Sequence, residues 1–581
     1  MDLEDEGKFG SPIKPEDLND PGYQQDLVRP VLTDTQIEAV RTFGEEIELD
    51  EGRVLFRRGD RNIDFFVVLE GVVDVYETDS AGKHHVVLVH QHGNFTGELN
   101  LFNSRKCLVS ARVSRKARLI CVKRKSLRRM LVSEPEIASI LLQTAVYRRL
   151  AFIRLGMAGI TLIGDYRDPS TLRIRRFLVG NNYPHRIVSP DAPSPDGKSS
   201  IMESLGLRSS DLPTVWDSKE RVYKNPTVTQ LAIELGLQEE PLSGQVYDLI
   251  IVGAGPSGLA ASVYAASEGL DTLLFETLVP GGQAGTSSRI ENYLGFPHGV
   301  SGLELATLAT LQAQKFGAQI AVAQTVTNIS QDSERKFKIT LKDQSNIYSR
   351  SVIVASGAQY RKLDLEGYER FEGRGLHYAA TPMEAQLCTG EEVVIVGGGN
   401  SAGQAALFLS LSVSRVHMLV RGETLSSTMS SYLAERIKAS YKIKIYYETE
   451  IKELSGDNSL EQVTWQCSRR HEVWQRPIQN VFVMIGAVPN TEWMQGCVEL
   501  DKNGFILTGR VRPDGSRASP YETSVPGLFA VGDVRAESVK RVASAVGEGS
   551  VVVQWVHKYL SAQVPVASVS PDETGAHQSA A

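Results

Sequence analysis

The chain has 581 residues, 42% apolar and 23% charged, with a net charge of −7. That length suits several domains of ordinary globular composition, and the charge gives no reason to expect nucleic acid or an anionic membrane as a partner. No apolar run approaches the ~20 residues of a spanning helix, and the opening MDLEDEGKFG lacks the apolar centre of a secretory signal, so no membrane association and a cytoplasmic location are expected. The five cysteines, at 107, 121, 388, 467 and 497, contain no Cys-x-x-Cys pair. They are expected to be reduced thiols and neither a disulfide framework nor a metal knuckle; no metal is expected.

Residues 1–30 are polar, acidic and rich in Pro and Gly, which predicts a flexible lead. Over 31–155, EGRVLFRRGDRNIDFFVVLEGVVDVYET alternates apolar and polar positions and breaks at Gly52, Gly59 and Gly71. This predicts short strands with tight turns forming a small barrel or jelly roll. A helical pattern, KSLRRMLVSEPEIASILLQTAVYRRLAF, follows. Over 158–236 the order is strand (TLIGD), helix (PSTLRIRRFLVGNN), strand (HRIVSPD), LPTVWD, then a helix, PTVTQLAIELGL. Past the linker QEEPLSGQ, strands and helices alternate, predicting a doubly wound α/β architecture with two tandem dinucleotide-binding units. Residues 246–366 with 488–563 form one unit and 367–487 the other. A disordered tail is expected over 566–581.

Two glycine turns carry the chemistry. The first, GAGPSG, contains Gly253, Gly255, Pro256, Ser257 and Gly258 between the strand DLIIV and a helix. The first glycine permits the sharp turn, the second lets the backbone approach a pyrophosphate, and the third lets helix and strand pack closely. Backbone amides at the helix start then face the phosphates. Glu276, at the end of LLFE, stands where an acid binds ribose hydroxyls. The second turn, GGGNSA, contains Gly397, Gly399, Asn400, Ser401 and Ala402. Its following strand ends in Arg421, a partner for a 2′-phosphate, which favours NADPH over NADH. Gly532 and Asp533, in GLFAVGD, suit close approach to a flavin and a hydrogen bond to its ribityl chain.

These segments, with PGGQ, IENYLGFP, VIVASG, FVMIGAVPNT and KRVASAVGEG, resemble in order the low-molecular-weight, bacterial-type thioredoxin reductases. The resemblance covers about 246–563 and implies FAD, NADPH and a homodimer. It assigns Gly282, Gln283, Asn292, Arg541 and Val542 to the flavin along with the first turn, and Gly486 to the nicotinamide nucleotide along with the second. Lys540, Arg541 and Val542 fall where the family has Arg-Gln-Val. The sequence departs from the family in two ways. One basic residue, Arg421, stands where the family has an arginine cluster; Gly422 and Ser426 occupy the other positions. The family's Cys-Ala-Thr-Cys falls on YAATPME, which has no cysteine. A thiolate is needed to attack a disulfide, so the flavin's electrons are expected to go to another acceptor: a small molecule, a redox protein or an external disulfide. Glu384 is read as a solvated carboxylate, with a proton donor near the flavin as its other reading, and Cys388 is read as a structural thiol.

The earlier blocks bear resemblances of their own. The second is similar to the thioredoxin or glutaredoxin fold, with Pro213 at its cis-proline position and RDPST, without cysteine, at its active-site position. The first resembles a cyclic-nucleotide-binding domain. That resemblance implies that Gly97 and Glu98 meet the ribose and Arg105 the cyclic phosphate, although Lys106 and Cys107 replace small residues after the arginine. The expected function is a FAD-dependent NAD(P)H oxidoreductase with a regulatory barrel. A slow flavin-based redox sensor, and a thioredoxin-disulfide reductase using a thiol outside the motif, are the alternatives.

Overall fold

The structure, a computed structural model, describes residues 28–78, 83–97, 105–154, 159–166, 168–194, 197, 199–217, 221–238, 244–287, 289–426, 428–510 and 519–563. The expected lead up to residue 27, the tail from 566, Glu98 and Arg167 therefore lie outside the described residues.

The first block is a six-stranded antiparallel sheet built on two long strands, Phe65–Thr78 and Ser110–Val122. Their Val, Ile and Phe side chains bury Val67, Val68, Leu119 and Ile120 completely. The helical pattern after it is two helices, Arg124–Ser133 and Pro135–Arg154. Proline lacks the N–H that would continue the first helix and pushes the preceding residue out of helical geometry. Glu134 accordingly has φ −119° and ψ 79°.

The second block is a four-stranded sheet. Ile160–Ile163 runs parallel to His185–Val188 and antiparallel to Thr214–Asp217, which pairs with Arg221–Lys224. Asp168 caps the helix Pro169–Gly180 by accepting from the Thr171 amide, and Pro169 sits in its first turn. The Leu212–Pro213 peptide is cis.

The remainder forms two α/β units. In one, Val246–Val252, Thr272–Glu276, Gln319–Val322, Asn346–Val354 and Leu528–Ala530 run parallel, with Val326–Gln331 and Phe337–Leu341 added antiparallel. Because the strands are covered on both faces they read as near-continuous apolar runs. The helices Pro256–Ser267 and Val542–Gln563 pack together so tightly that a Cβ at Gly549 would collide with the Ser257 carbonyl. The other unit has a five-stranded parallel sheet with Glu392–Val396 at its centre. A two-stranded ribbon, Ala358–Tyr360 against Ala487–Pro489, links the units.

Candidate dinucleotide sites and the stretch between them

The first glycine turn joins Val246–Val252 to Pro256–Ser267, with Gly255 as the helix cap. Gly253 has φ +105°, a conformation open to glycine, and a Cβ there would collide with the Ala355 carbonyl. A Cβ at Gly258 would collide with the Gly253 carbonyl, so the third glycine sets the helix–strand approach. At Gly255 a Cβ would meet nothing within 4 Å. The turn thus leaves an open cradle at a helix N-terminus, a fit for a pyrophosphate.

Other elements converge on the same strand ends. Glu276 accepts from the Ala254 amide at 2.9 Å and the Leu278 amide at 3.0 Å. Burial raises its pKa, an effect these amides partly offset. The Gly281 amide donates to the Ala254 carbonyl at 2.7 Å, bringing the 280–283 turn over the glycine turn, and Gln283 Nε2 donates to the Ala358 carbonyl. Gly532 lies so close to Ser257 that a Cβ would sit 2.5 Å from its Oγ. Burial also raises the carboxyl of Asp533, and Lys540 Nζ donates to the Asp533 carbonyl at 2.6 Å. Val542 begins the last helix, while Arg541 and Asn292 are exposed. Next to Asn292, Glu291 pairs with Arg436 of the other unit at 2.8 Å.

At the second turn Gly397 has φ +142°, and a Cβ there would collide with the Met484 carbonyl. Ala402 is fully buried beneath it, which is why a methyl group suffices at the third position. Asn400 and Gly398 are tied to a neighbouring loop: Asn400 Oδ1 accepts from the Ser430 amide and the Gly398 carbonyl from Thr428 Oγ1, each at 2.8 Å. Ser401 is exposed at the start of the helix Asn400–Leu409, and Arg421 is exposed just beyond the strand Arg415–Val420. The Gly486 carbonyl accepts from the Arg361 amide beside the linking ribbon.

The structure gives Glu384 another task than proton donation. It lies on the short helix Pro382–Leu387, is 1% exposed, and pairs with Arg176 of the helix Pro169–Gly180. It also accepts from the Thr381 amide at 3.1 Å. Burial pushes its pKa up, but Arg176, Thr381 and His377 outweigh burial and hold it below the ordinary value. An ionised, paired carboxylate has no proton to give. Cys388 is fully buried, its Sγ donates to the Glu384 carbonyl at 3.2 Å, and burial pushes the thiol up to about 12. At Arg105 the guanidinium donates to Asn181, to its carbonyl at 3.1 Å and to Oδ1 at 3.2 Å.

Sequence reasoning missed three residues. Glu548 accepts from the Gly532 amide at 2.7 Å and pairs with Arg535 at 2.6 Å. Its signal was an acid between two glycines in an otherwise apolar helix. Arg176 and Asn181 are ordinary polar residues of a surface-like helix pattern, and nothing in the sequence marks their distant partners. Among the described residues no cluster of His, Cys, Asp and Glu could hold a metal, and no helix is long and apolar enough to cross a membrane.

Two glycine-turn units joined by a ribbon define a two-dinucleotide oxidoreductase. Residues 247–549 match the profile of the pyridine nucleotide-disulphide oxidoreductases, and residues 46–134 that of the cyclic nucleotide-binding domain. Over 317 residues the chain is 31% identical to a thioredoxin reductase of Bacillus subtilis, spanning 54% of this chain and 95% of that protein. Over 314 residues it is 35% identical to the thioredoxin reductase of Treponema pallidum, spanning 54% and 97%. A crystal structure of Lactococcus lactis thioredoxin reductase, in its FR conformation, superposes with a TM-score of 0.50 at 30% identity, covering 54% of this chain and 99% of that one. The chain belongs to the pyridine nucleotide-disulphide oxidoreductase family and carries a cyclic nucleotide-binding domain. It is a FAD-dependent oxidoreductase of the thioredoxin-reductase-like branch, whose cofactors are FAD and NADPH.

Proposed function

We propose that the chain transfers hydride from NADPH to FAD and passes the electrons to an acceptor without a dithiol of its own. The carrying observation is the stretch 378–384. It has no cysteine, its Glu384 is locked to Arg176, and the nearest thiol, Cys388, is buried and held protonated. Bound FAD supplies the two-electron chemistry; the protein's part is to bind, orient and exclude water. In this reading Gly253, Gly255, Gly258, Glu276, Gly282, Gln283, Asn292, Gly532, Asp533, Arg541 and Val542 hold FAD. Gly397, Gly399, Ala402, Arg421 and Gly486 hold the nicotinamide nucleotide, with Asn400 and Ser401 opening the helix beneath it. Residues 246–366 with 488–563 form the flavin unit, and 367–487 the nicotinamide unit.

Residues 158–236 are read as a thioredoxin-like module without redox cysteines. Support comes from the strand pairing, the cis Leu212–Pro213 peptide and the helix beginning at Pro169. Residues 31–155 are read as a jelly-roll barrel that binds a cyclic nucleotide through Gly97, Glu98 and Arg105 and regulates the flavin. The whole is read as a cytoplasmic homodimer. Anaerobic stopped-flow mixing with NADPH and with NADH, followed by an acceptor panel, tests the proposal. Flavin bleaching within seconds supports an enzyme; bleaching over minutes with both donors would favour a sensor.

A further inference from the structure

The helix Pro169–Gly180 and the two residues that follow it contact the barrel and both dinucleotide units. At its start Pro169 lies against Gly373, where a Cβ would sit 3.1 Å from the proline Cβ. Two turns on, Arg176 pairs with Glu384. At its end Gly180 faces Val279, and a Cβ there would be 2.8 Å from the valine Cβ. Asn182 Nδ2 donates to Thr307 at 3.2 Å. Between these lies Asn181, 3% exposed, whose Nδ2 donates back to the Phe177 carbonyl at 2.9 Å. That bond holds the side-chain amide with Oδ1 toward Arg105, which also takes the Asn181 backbone carbonyl. One rigid helix, ~18 Å long at 1.5 Å per residue, thus ends beside a barrel contact and flavin-unit contacts, and carries nicotinamide-unit contacts at its start and middle.

Both terminal nitrogens of Arg105 are engaged with Asn181. A phosphate in the barrel competes for the same fork, since a guanidinium presents its paired N–H groups in one fixed plane. Beside the contact lies a small cleft lined by Arg105, Lys106, Asn181, Asn182 and Tyr183 together with leucines. We propose that the Arg105–Asn181 contact is a latch operated by a cyclic nucleotide. The ligand's phosphate takes Arg105, Asn181 loses its partner, and the helix loosens its grip on the nicotinamide unit at Glu384 and Gly373, changing the rate of flavin reduction. This rests on the reading that the barrel binds a cyclic nucleotide through Arg105. Arg105 binds the ligand, while Asn181 and Arg176 act by position; none belongs to the flavin or nicotinamide sites.

Linkage makes the test quantitative: whatever the ligand does to the latch, breaking the latch does to the ligand. Calorimetric titration of the full chain with cyclic AMP and cyclic GMP is compared for wild type, Asn181→Ala and Asn181→Asp, alongside stopped-flow flavin reduction. Asn181→Ala is expected to bind the nucleotide roughly tenfold more tightly, with a reduction rate that matches ligand-saturated wild type and no longer responds to ligand. Asn181→Asp, which strengthens the Arg105 contact by charge, is expected to bind it roughly tenfold more weakly. Opposite shifts from two variants exclude a simple folding defect. Equal binding in all three, or binding without any change in reduction, overturns the latch and leaves the barrel reading standing. No nucleotide binding by wild type or Asn181→Ala overturns the barrel reading and the latch with it.

Discussion

Arg176 on the helix Pro169–Gly180 and Glu384 on the short helix Pro382–Leu387, 208 residues apart, form an ion pair that joins two separately folded blocks of the chain. The carboxylate is buried and the guanidinium half-exposed. Removing the cation strands a charge in a dry site, and removing the carboxylate's charge does not. Arg176→Ala should therefore destabilise by about 2 kcal/mol, below the ~3 of a fully buried pair because Arg176 is partly screened. Glu384→Gln, which still accepts from Thr381, should cost less than half of that. Thermal unfolding of the two variants checks the order; equal costs would show that the charge is unimportant.

The same pair sets a pH dependence. Glu384 is held below its ordinary value, so its stabilisation is complete above the unfolded pKa of about 4.3 and is lost as pH falls through the lower folded value. Without Arg176 burial raises the Glu384 carboxyl in the variant, so the difference in melting temperature between wild type and Arg176→Ala should be full near neutral pH and shrink as pH falls and the stranded carboxylate is protonated. A difference that grew on acidification would reverse the assigned sign.

Cys388 offers a cleaner negative. Its thiol is buried and pushed up to about 12, so the thiolate that redox chemistry needs is scarce at neutral pH. In native protein it should resist an aromatic disulfide reagent, and Cys388→Ser should keep NADPH-driven flavin reduction within about twofold. Rapid native labelling, or loss of turnover in the serine variant, would restore it as a redox centre.

What the sequence made legible was what local chemistry dictates. Gly253, Gly258 and Gly397 announce themselves because no other side chain fits the backbone they require, and Glu276 follows from strand length. The break at Pro135 is local chemistry of the same kind, since proline cannot continue the helix that precedes it. The burial and pairing of Glu384 were not legible for a different reason. Its character depends on Arg176, and a partner 208 residues away leaves no trace in local pattern. The same holds for Arg105: the motif around it is local, while its partner Asn181 belongs to another block.

Glu548 joins the two kinds of evidence. Its carboxylate takes the Gly532 amide and Arg535 together, fixing the loop that presents Asp533. Glu548→Gln keeps an acceptor for the amide but loses the charge pair, and should weaken FAD retention roughly tenfold, about 1.4 kcal/mol, with the fold intact. Fluorescence titration of the apoprotein with FAD measures this; unchanged affinity would mean the loop needs no such anchor.

The central claim, electron transfer without an internal dithiol, is tested most directly by an anaerobic reductive titration of the full chain. The account predicts that two electrons per FAD complete the reduction, and that a variant with all five cysteines replaced by serine gives the same end point. Uptake of four electrons per FAD by the wild type, falling to two in the serine variant, would reveal a working disulfide and contradict it.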